Sequence, residues 1–137
     1  MFDAWYQEAE DCDLIKYAAA ACLSTVDLEG MPDGRIVLLE LHDARGFVFF
    51  TDERSVKGQE LARLPAAALT FYWGPLDRQI RIRGRVELAS NEIADACFEQ
   101  RPRASRLTAW ASRQSETLPQ PAELDTSYAS FADDFED

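Results

Sequence analysis

The sequence predicts a mainly β fold, a small antiparallel barrel with peripheral helices. At least five short segments are rich in β-forming residues, and short turns separate them. Gly30, Gly34 and Gly46 lie at or near these turns and indicate a meander of the first three strands. The run from Arg78 to Val86 alternates between polar and apolar residues, which is the period of a strand with one charged and one buried face.

The N-terminal half begins with a helix, expected over residues 3–21, in which Trp5, Ala9 and Ile15 are candidate core positions. The apolar run Ala18–Ala21 closes this helix. Three strands follow, each bounded by turn-forming residues. They are expected at Cys22–Asp27, Arg35–Leu41 and Phe47–Thr51.

The second half begins with a short helix, for which Ser55 is the expected N-cap and Pro65 the stop. Gly84, inside the last strand, predicts a bulge or a close backbone approach. The other elements are expected as strands at Ala66–Trp73 and residues 78–88, and as helices at residues 90–100 and 104–111.

The length of 137 residues predicts one domain with one core. Residues 1–115 are expected to form this domain, including the N-terminal helix. Residues 116–137 contain seven acids and no base, and they are expected to form an acidic tail that is helical or partly disordered.

The formal net charge of −11 argues against general binding to nucleic acid or to an anionic membrane, because the long-range field repels polyanions. A local cluster of arginine and lysine still allows a small phosphate ligand. We expect neither a signal peptide nor a membrane span. The three cysteines show no metal or redox spacing, so a cytoplasmic protein without a metal site is expected.

Lys57 is the first candidate for binding an anion. Ser55 caps the helix, so Lys57 falls in the first turn, where the helix N-terminus is already partly positive. A positive side chain is unfavourable at this end of a helix. A bound anion would offset this unfavourable interaction by accepting hydrogen bonds from backbone N–H groups and from the ammonium. Arg35 could reach the same anion in a bidentate manner. A solvated lysine and a surface arginine are the alternative interpretations of these two residues.

Other basic and aromatic clusters also have two interpretations each. The arginines on one face of the Arg78–Val86 strand need either carboxylates or a bound anion opposite them. The basic loop Arg101–Arg106 either pairs with the acidic tail or binds a ligand. Trp110 is either a core residue or a ring-stacking residue close to Gln114 and Ser115.

Neither a dinucleotide-binding glycine motif nor a Walker loop is present, so nucleotide binding would need another scaffold. A set of other motifs lies in order over roughly residues 14–115. These motifs are Arg35-Ile-Val-Leu-Leu, Gly46-Phe-Val-Phe-Phe-Thr51, Ser55-x-Lys57-Gly58-x-Glu60-Leu61, Phe71-Tyr-Trp73, Arg78-Gln79-Ile-Arg-Ile-Arg-Gly84-Arg-Val-Glu87, Arg101-Pro102-Arg103-x-Ser105 and Ala109-Trp110-Ala-Ser-x-Gln114-Ser115. Together they resemble the pyridoxamine 5′-phosphate oxidase family.

The resemblance implies a Greek-key-like split β-barrel and a homodimer with FMN bound between the subunits. It also implies, residue by residue, which positions contact the flavin, with Lys57 on its phosphate. These positions are Arg35, Ile36, Val37, Leu38, Leu39, Phe50, Thr51, Lys57, Gln79, Gln114 and Ser115.

On the substrate side, Arg101 and Ser105 match the family's phosphate pocket, but two positions depart from it. The family's lysine at the end of the second strand is Glu40, and its tyrosine before the Arg-Pro motif is Cys97. Replacing lysine with glutamate turns attraction of a phosphate into repulsion, roughly 4 kcal/mol per charge pair at about 4 Å and an effective dielectric near 20. We therefore expect slow oxidation of pyridoxamine 5′-phosphate, and an amine-bearing or uncharged substrate instead.

The leading hypothesis is an FMN-dependent oxidoreductase in which a hydride passes from a small substrate to flavin N5. No catalytic side chain is assigned, and a Ser/His/Asp triad is not plausible with a single histidine. The alternative is a flavin-binding or regulatory protein without pyridoxamine 5′-phosphate oxidase turnover. A third hypothesis is a flavin-free barrel that makes only protein contacts.

Overall fold

The computed structural model of the protein describes residues 1–112, 115, 120 and 122–134. In this part of the chain, five strands form one antiparallel sheet in the order β3-β2-β1-β4-β5, which confirms the predicted mainly β fold. The strands are β1 (Ala20–Val26), β2 (Pro32–Asp43), β3 (Gly46–Phe49), β4 (Ala66–Trp73) and β5 (Arg78–Arg85). The helices are α1 (Phe2–Glu10), α2 (Val56–Arg63), α3 (Asn91–Glu99), α4 (Arg103–Ala111) and α5 (Ala122–Asp134), and a 3-10 turn spans Gly74–Leu76.

The main core lies on the inner face of the sheet, where α1 and α2 contribute Ala9 and Leu61. Strand alternation sends every second side chain to this face. Trp73, Phe71 and Leu23 are the largest apolar side chains that are fully buried there. The indole Nε1 of Trp73 donates a hydrogen bond to the backbone oxygen of Ala18 at 3.0 Å, so its polar atom is satisfied inside the core.

The helix predicted over residues 3–21 is wrong in its length, because α1 ends at Glu10. The residues that follow include Asp11 and Asp13, which are poor helix formers. The alanine run then leads into β1, where Ala20 lies opposite Leu38 in the ladder. Strand pairing therefore outweighs the helix propensity of the alanines.

The turns between the first three strands are confirmed. Asp27 accepts hydrogen bonds from the backbone N–H groups of Glu29 at 2.9 Å and Met31 at 2.8 Å, which closes the turn between β1 and β2. Gly30 adopts a φ of +84° in this turn, a conformation that glycine tolerates best. In the next turn, Asp43 accepts a hydrogen bond from the backbone N–H of Arg45 at 2.8 Å.

The predicted alternation along β5 is confirmed, whereas the bulge predicted at Gly84 is wrong. The register between β4 and β5 is continuous, and a Cβ placed on Gly84 would meet nothing within 4 Å in the described chain. β5 ends at Arg85, three residues before the predicted end, because its partner β4 begins at Ala66, directly after Pro65. Proline has no N–H with which to extend the ladder.

The three cysteines are half-buried free thiols. Among the described residues, histidine, cysteine and carboxylate side chains form no cluster that could hold a metal ion. None of the described helices is long and apolar enough to cross a lipid bilayer.

Candidate functional site

One edge of β2 is only partly covered in the described chain. β3 pairs with β2 only between Leu39 and Asp43, so the first part of β2 has β1 on one side and no strand on the other. The backbone N–H of Leu39 donates to the oxygen of Ala19 on the β1 side at 2.9 Å. Because backbone groups alternate along an antiparallel strand, those of Ile36 and Leu38 point to the open edge.

The predicted flavin contacts on β2 therefore fall into two sets. The side chains of Ile36 and Leu38 lie on the outer face and are 67% and 50% exposed. Those of Val37 and Leu39 are buried in the core. The open edge thus offers backbone donors and acceptors and apolar surface from Ile36 and Leu38. Val37 and Leu39 pack into the core on the opposite face of the same strand.

Arg35 is fixed by three oxygen acceptors. Its Nη1 donates to Thr25 Oγ1, and its Nη2 donates to Asp33 Oδ2 at 2.7 Å and to Glu60 Oε2 at 3.1 Å. The Glu60 side chain is only 9% exposed, and its Oε2 also accepts from Thr25 Oγ1 at 2.5 Å. This network joins β1, β2 and α2 around one partly buried guanidinium.

The N-terminus of α2 carries the second candidate cation. Ser55 caps the helix as predicted, since its Oγ accepts from the backbone N–H of Gly58 at 3.2 Å. Lys57 is 9% exposed in a first turn that contains no acid, so it is not a solvated surface lysine. Burial lowers the pKa of Lys57, and the nearby Arg35 lowers it further, against the opposing effect of Asp52 and Glu60. Arg35 and Lys57 therefore lie near enough for their charges to interact.

Gly58 allows α2 to begin in contact with the preceding loop. A Cβ at this position would lie 2.5 Å from the backbone oxygen of Asp52 and 2.6 Å from that of Glu53. No side chain fits there without moving backbone. The same turn carries Lys57, so the close approach at Gly58 fixes the position of the lysine.

Phe50 and Thr51 lie in the loop between β3 and α2, not in the third strand as predicted. β3 ends at Phe49, where the chain leaves β2 and turns toward the helix. Thr51 Oγ1 lies 3.1 Å from Ser55 Oγ, so it borders the N-terminus of α2. Phe50 lies under the guanidinium of Arg101, whose Cζ is 4.6 Å from the ring centroid.

Arg101, in the turn between α3 and α4, forms an ion pair with Glu40. Its Nη2 donates to Glu40 Oε1, and the two side chains are 22% and 24% exposed. Ser105 lies exposed in the first turn of α4, and Cys97 is half-buried on α3. Arg101, which is predicted to bind the substrate, thus contacts Glu40, a position at which this sequence departs from the family.

Gln79 lies away from these residues within the chain. It points to the outer face of β5, opposite Tyr72, whereas Arg35 points to the inner face of β2. Three strand spacings separate β2 from β5, roughly 14 Å at about 4.8 Å each. Ser115 is exposed with a φ of +66°, and Gln114 lies outside the described residues.

Sequence reasoning missed the residues that hold Arg35, two of which lie far from it along the chain. Thr25 and Glu60 contact it across 10 and 25 positions of the chain, and each is an ordinary residue in its own segment. The three-residue spacing of Lys57 and Glu60 indicates only that they share one side of α2. Their approach to β1 and β2 depends on tertiary packing.

Residues 8–130 match the family model described as pyridoxamine 5′-phosphate oxidase. Two similar curated proteins are both named pyridoxine/pyridoxamine 5′-phosphate oxidase. The one from Thermosynechococcus vestitus is 51% identical over 128 residues, which cover 93% of this chain and 60% of that protein. The one from Paraburkholderia phytofirmans is 48% identical over 125 residues, which cover 91% and 58%. The chain thus spans about 60% of the length of these relatives.

Two solved structures have a similar fold. PhzG from Burkholderia lata 383, in complex with tetrahydrophenazine-1-carboxylic acid, superposes with a TM-score of 0.88 at 25% identity, over 95% of this chain and 64% of that one. A pyridoxamine 5′-phosphate oxidase-related, FMN-binding protein from Nostoc punctiforme gives a TM-score of 0.70 at 20% identity, over 90% and 68%. The sheet with its peripheral helices is therefore a split β-barrel, as expected.

Proposed function

The chain belongs to the pyridoxamine 5′-phosphate oxidase family, and we propose that it is an FMN-dependent oxidoreductase acting on a small substrate. The observation that carries this proposal is the pair of partly buried cations, Arg35 on β2 and Lys57 in the first turn of α2. Asp33, Glu60 and Asp52 offset part of this positive charge, and an anion bound between the two cations would stabilise both of them further. A terminal phosphate supplies such an anion, which FMN has and riboflavin lacks.

The ring system of FMN fits the open edge of β2. A flavin ring has apolar faces and an edge with both donors and acceptors. The backbone groups of Ile36 and Leu38 offer the complementary donors and acceptors, and their exposed side chains offer apolar surface. We assign these two residues to the ring, and Arg35, Thr51 and Lys57 to the phosphate end.

The chemistry supplied by bound FMN is acceptance of a hydride from the substrate at flavin N5. The residues of this chain would bind and orient the flavin, and no acid–base side chain is assigned. A flavin-binding or regulatory protein without pyridoxamine 5′-phosphate oxidase turnover is the second candidate, favoured by the Glu40–Arg101 ion pair. Anaerobic reduction of the bound flavin by candidate substrates distinguishes the two.

The free thiols support a reducing, cytoplasmic compartment.

The direct test of flavin binding is the absorbance spectrum of the purified protein, followed by identification of the released flavin. We expect a yellow protein that releases FMN, not FAD or riboflavin. A colourless protein that stays colourless after incubation with excess FMN would remove the basis of the proposal. It would favour the third hypothesis, a flavin-free barrel.

We further propose a homodimer with the flavin at the interface. The outer face of the sheet exposes Ile36, Leu38 and Tyr72. Gln79 shares this face but lies about three strands from β2, so a second protomer is needed if Gln79 is to contact a flavin on Arg35. A shared site explains both the exposed apolar surface and the position of Gln79.

We expect sedimentation to show a dimer that FMN stabilises, because a ligand bound by both subunits favours association. At an FMN concentration 100 times its dissociation constant, the gain in stability is about 2.7 kcal/mol. Tyr72→Asp is expected to weaken the dimer and FMN binding together. Leu88→Asp, at an exposed position outside the sheet, serves as the control. A monomer that holds stoichiometric FMN would contradict the shared site.

A further inference from the structure

The ion pair between Glu40 and Arg101 lies where the family resemblance places the substrate's phosphate. Arg101 Nη2 donates to Glu40 Oε1, and the guanidinium packs on the ring of Phe50. Both side chains are about three-quarters buried. A carboxylate of the chain itself therefore takes the position on Arg101 that a phosphate would need.

The local charge follows from this contact. An isolated Glu40 would attract a cationic amine, and an isolated Arg101 would attract a phosphate. Paired at contact distance and partly shielded from water, the two charges largely cancel, and neither attraction remains at full strength. A phosphate would have to displace Glu40 and leave its carboxylate beside the bound anion. The arrangement thus favours a ligand without charge at this end.

We propose that Glu40 determines substrate specificity by occupying Arg101, so that the site takes a small substrate that is not phosphorylated and carries no charge at the Arg101 end. This inference rests on the proposed function, because it concerns the substrate side of the same site. It also decides between the two substrate classes expected from the sequence, in favour of the uncharged one.

The test compares two ligands that differ only by a phosphate, pyridoxamine 5′-phosphate and pyridoxamine. Each is titrated into the FMN-loaded protein, and binding is followed by the change in flavin absorbance and by calorimetry. For the unmodified protein we expect the phosphorylated ligand to bind no more tightly than the other. The ratio of the two affinities should rise about tenfold in Glu40→Gln and about 100-fold in Glu40→Lys.

Asp43→Lys is the matched control. It makes the same change of charge at the end of the same strand, but Asp43 pairs with Arg45 at an exposed turn. Its affinity ratio should equal that of the unmodified protein. An equal rise of the affinity ratio in Asp43→Lys and Glu40→Lys would overturn the proposal. A general change in the electrostatic field of the protein would then explain both results. Tight phosphate-dependent binding by the unmodified protein would overturn it too.

A kinetic comparison follows the same logic. Formation of pyridoxal 5′-phosphate should be slow or undetectable in the unmodified protein and should increase in the Glu40→Lys/Cys97→Tyr double variant. FMN content is measured in every preparation. Failure to bind FMN would count against the proposed function, whereas calorimetry on the flavin-free protein would still report whether Glu40 blocks the phosphate. The two failures are therefore distinguishable.

Discussion

Replacing Lys57 with alanine is expected to weaken FMN binding about 10- to 100-fold, which corresponds to about 1.5–3 kcal/mol. The change removes a charge-assisted contact from the N-terminus of α2, where Lys57 is buried beside Arg35. Riboflavin, which has no phosphate, should bind the variant and the unmodified protein equally. Quenching of flavin fluorescence gives both dissociation constants.

Arg45→Ala is the control for Lys57→Ala. It also removes one positive charge, but Arg45 lies at the exposed turn between β2 and β3 and pairs with Asp43. Its FMN affinity should stay within about twofold of the unmodified value. An equal loss of FMN and riboflavin affinity in Lys57→Ala would show that the lysine supports the fold of the site and not the phosphate.

The pH dependence of FMN binding gives an independent measure of the same residue. Burial and Arg35 lower the pKa of Lys57, so the free protein loses this charge at a lower pH than an exposed lysine would. A bound phosphate favours the protonated form. FMN affinity should therefore fall as the pH rises through the lowered pKa. In Lys57→Arg the charge persists, and this fall should be absent at every pH below the range in which an exposed lysine titrates.

Replacing Trp73 with alanine is expected to lower the free energy of unfolding by about 3–5 kcal/mol. Trp73 is fully buried, packs beside Phe71 and donates a hydrogen bond to Ala18. The variant loses apolar burial and leaves the backbone oxygen of Ala18 without its partner. Urea denaturation at one fixed protein concentration measures the change, since dimerisation would make the midpoint depend on concentration.

Trp73→Phe separates the two contributions. It keeps most of the ring but removes the indole N–H, and we expect a loss of about 1–3 kcal/mol, smaller than that of the alanine variant. A loss below about 1 kcal/mol in Trp73→Ala would show that the loop before β1 does not depend on this contact.

Most of the fold could be predicted because its signals are local. Alternation identified β5, and Gly30 identified the first turn. The end of α1 could not be predicted, because the run Ala18–Ala21 has a high helix propensity in isolation. Its pairing with β2 depends on a strand more than fifteen positions away. The prediction of a bulge at Gly84 was also wrong. A glycine in a strand can occur for several structural reasons, and the local sequence does not distinguish a bulge from the others.

The candidate site was predictable only in part. Ser55 and Lys57 form a local pattern, and the structure shows the cap and the buried lysine. The contacts of Arg35 with Thr25 and Glu60 join three segments, and no local pattern indicates such a junction. The contact of Glu40 with Arg101 spans 61 positions. From the sequence, Glu40 was expected to repel a ligand, but the fold gives its carboxylate a partner.

The open edge of β2 also bears on how the chain avoids self-association. An unpaired strand edge can template pairing with the same edge of another molecule. In the described chain, Pro32 offers no N–H here, and the carboxylate of Asp33 accepts the N–H of Gly34 at 2.7 Å. Among the described residues of this edge, Ile36 and Leu38 have no such protection, so we expect chains without a ligand to associate more readily here than at Pro32 or Gly34. A flavin bound there would shield the nascent protein, and riboflavin supply during expression would then affect the soluble yield.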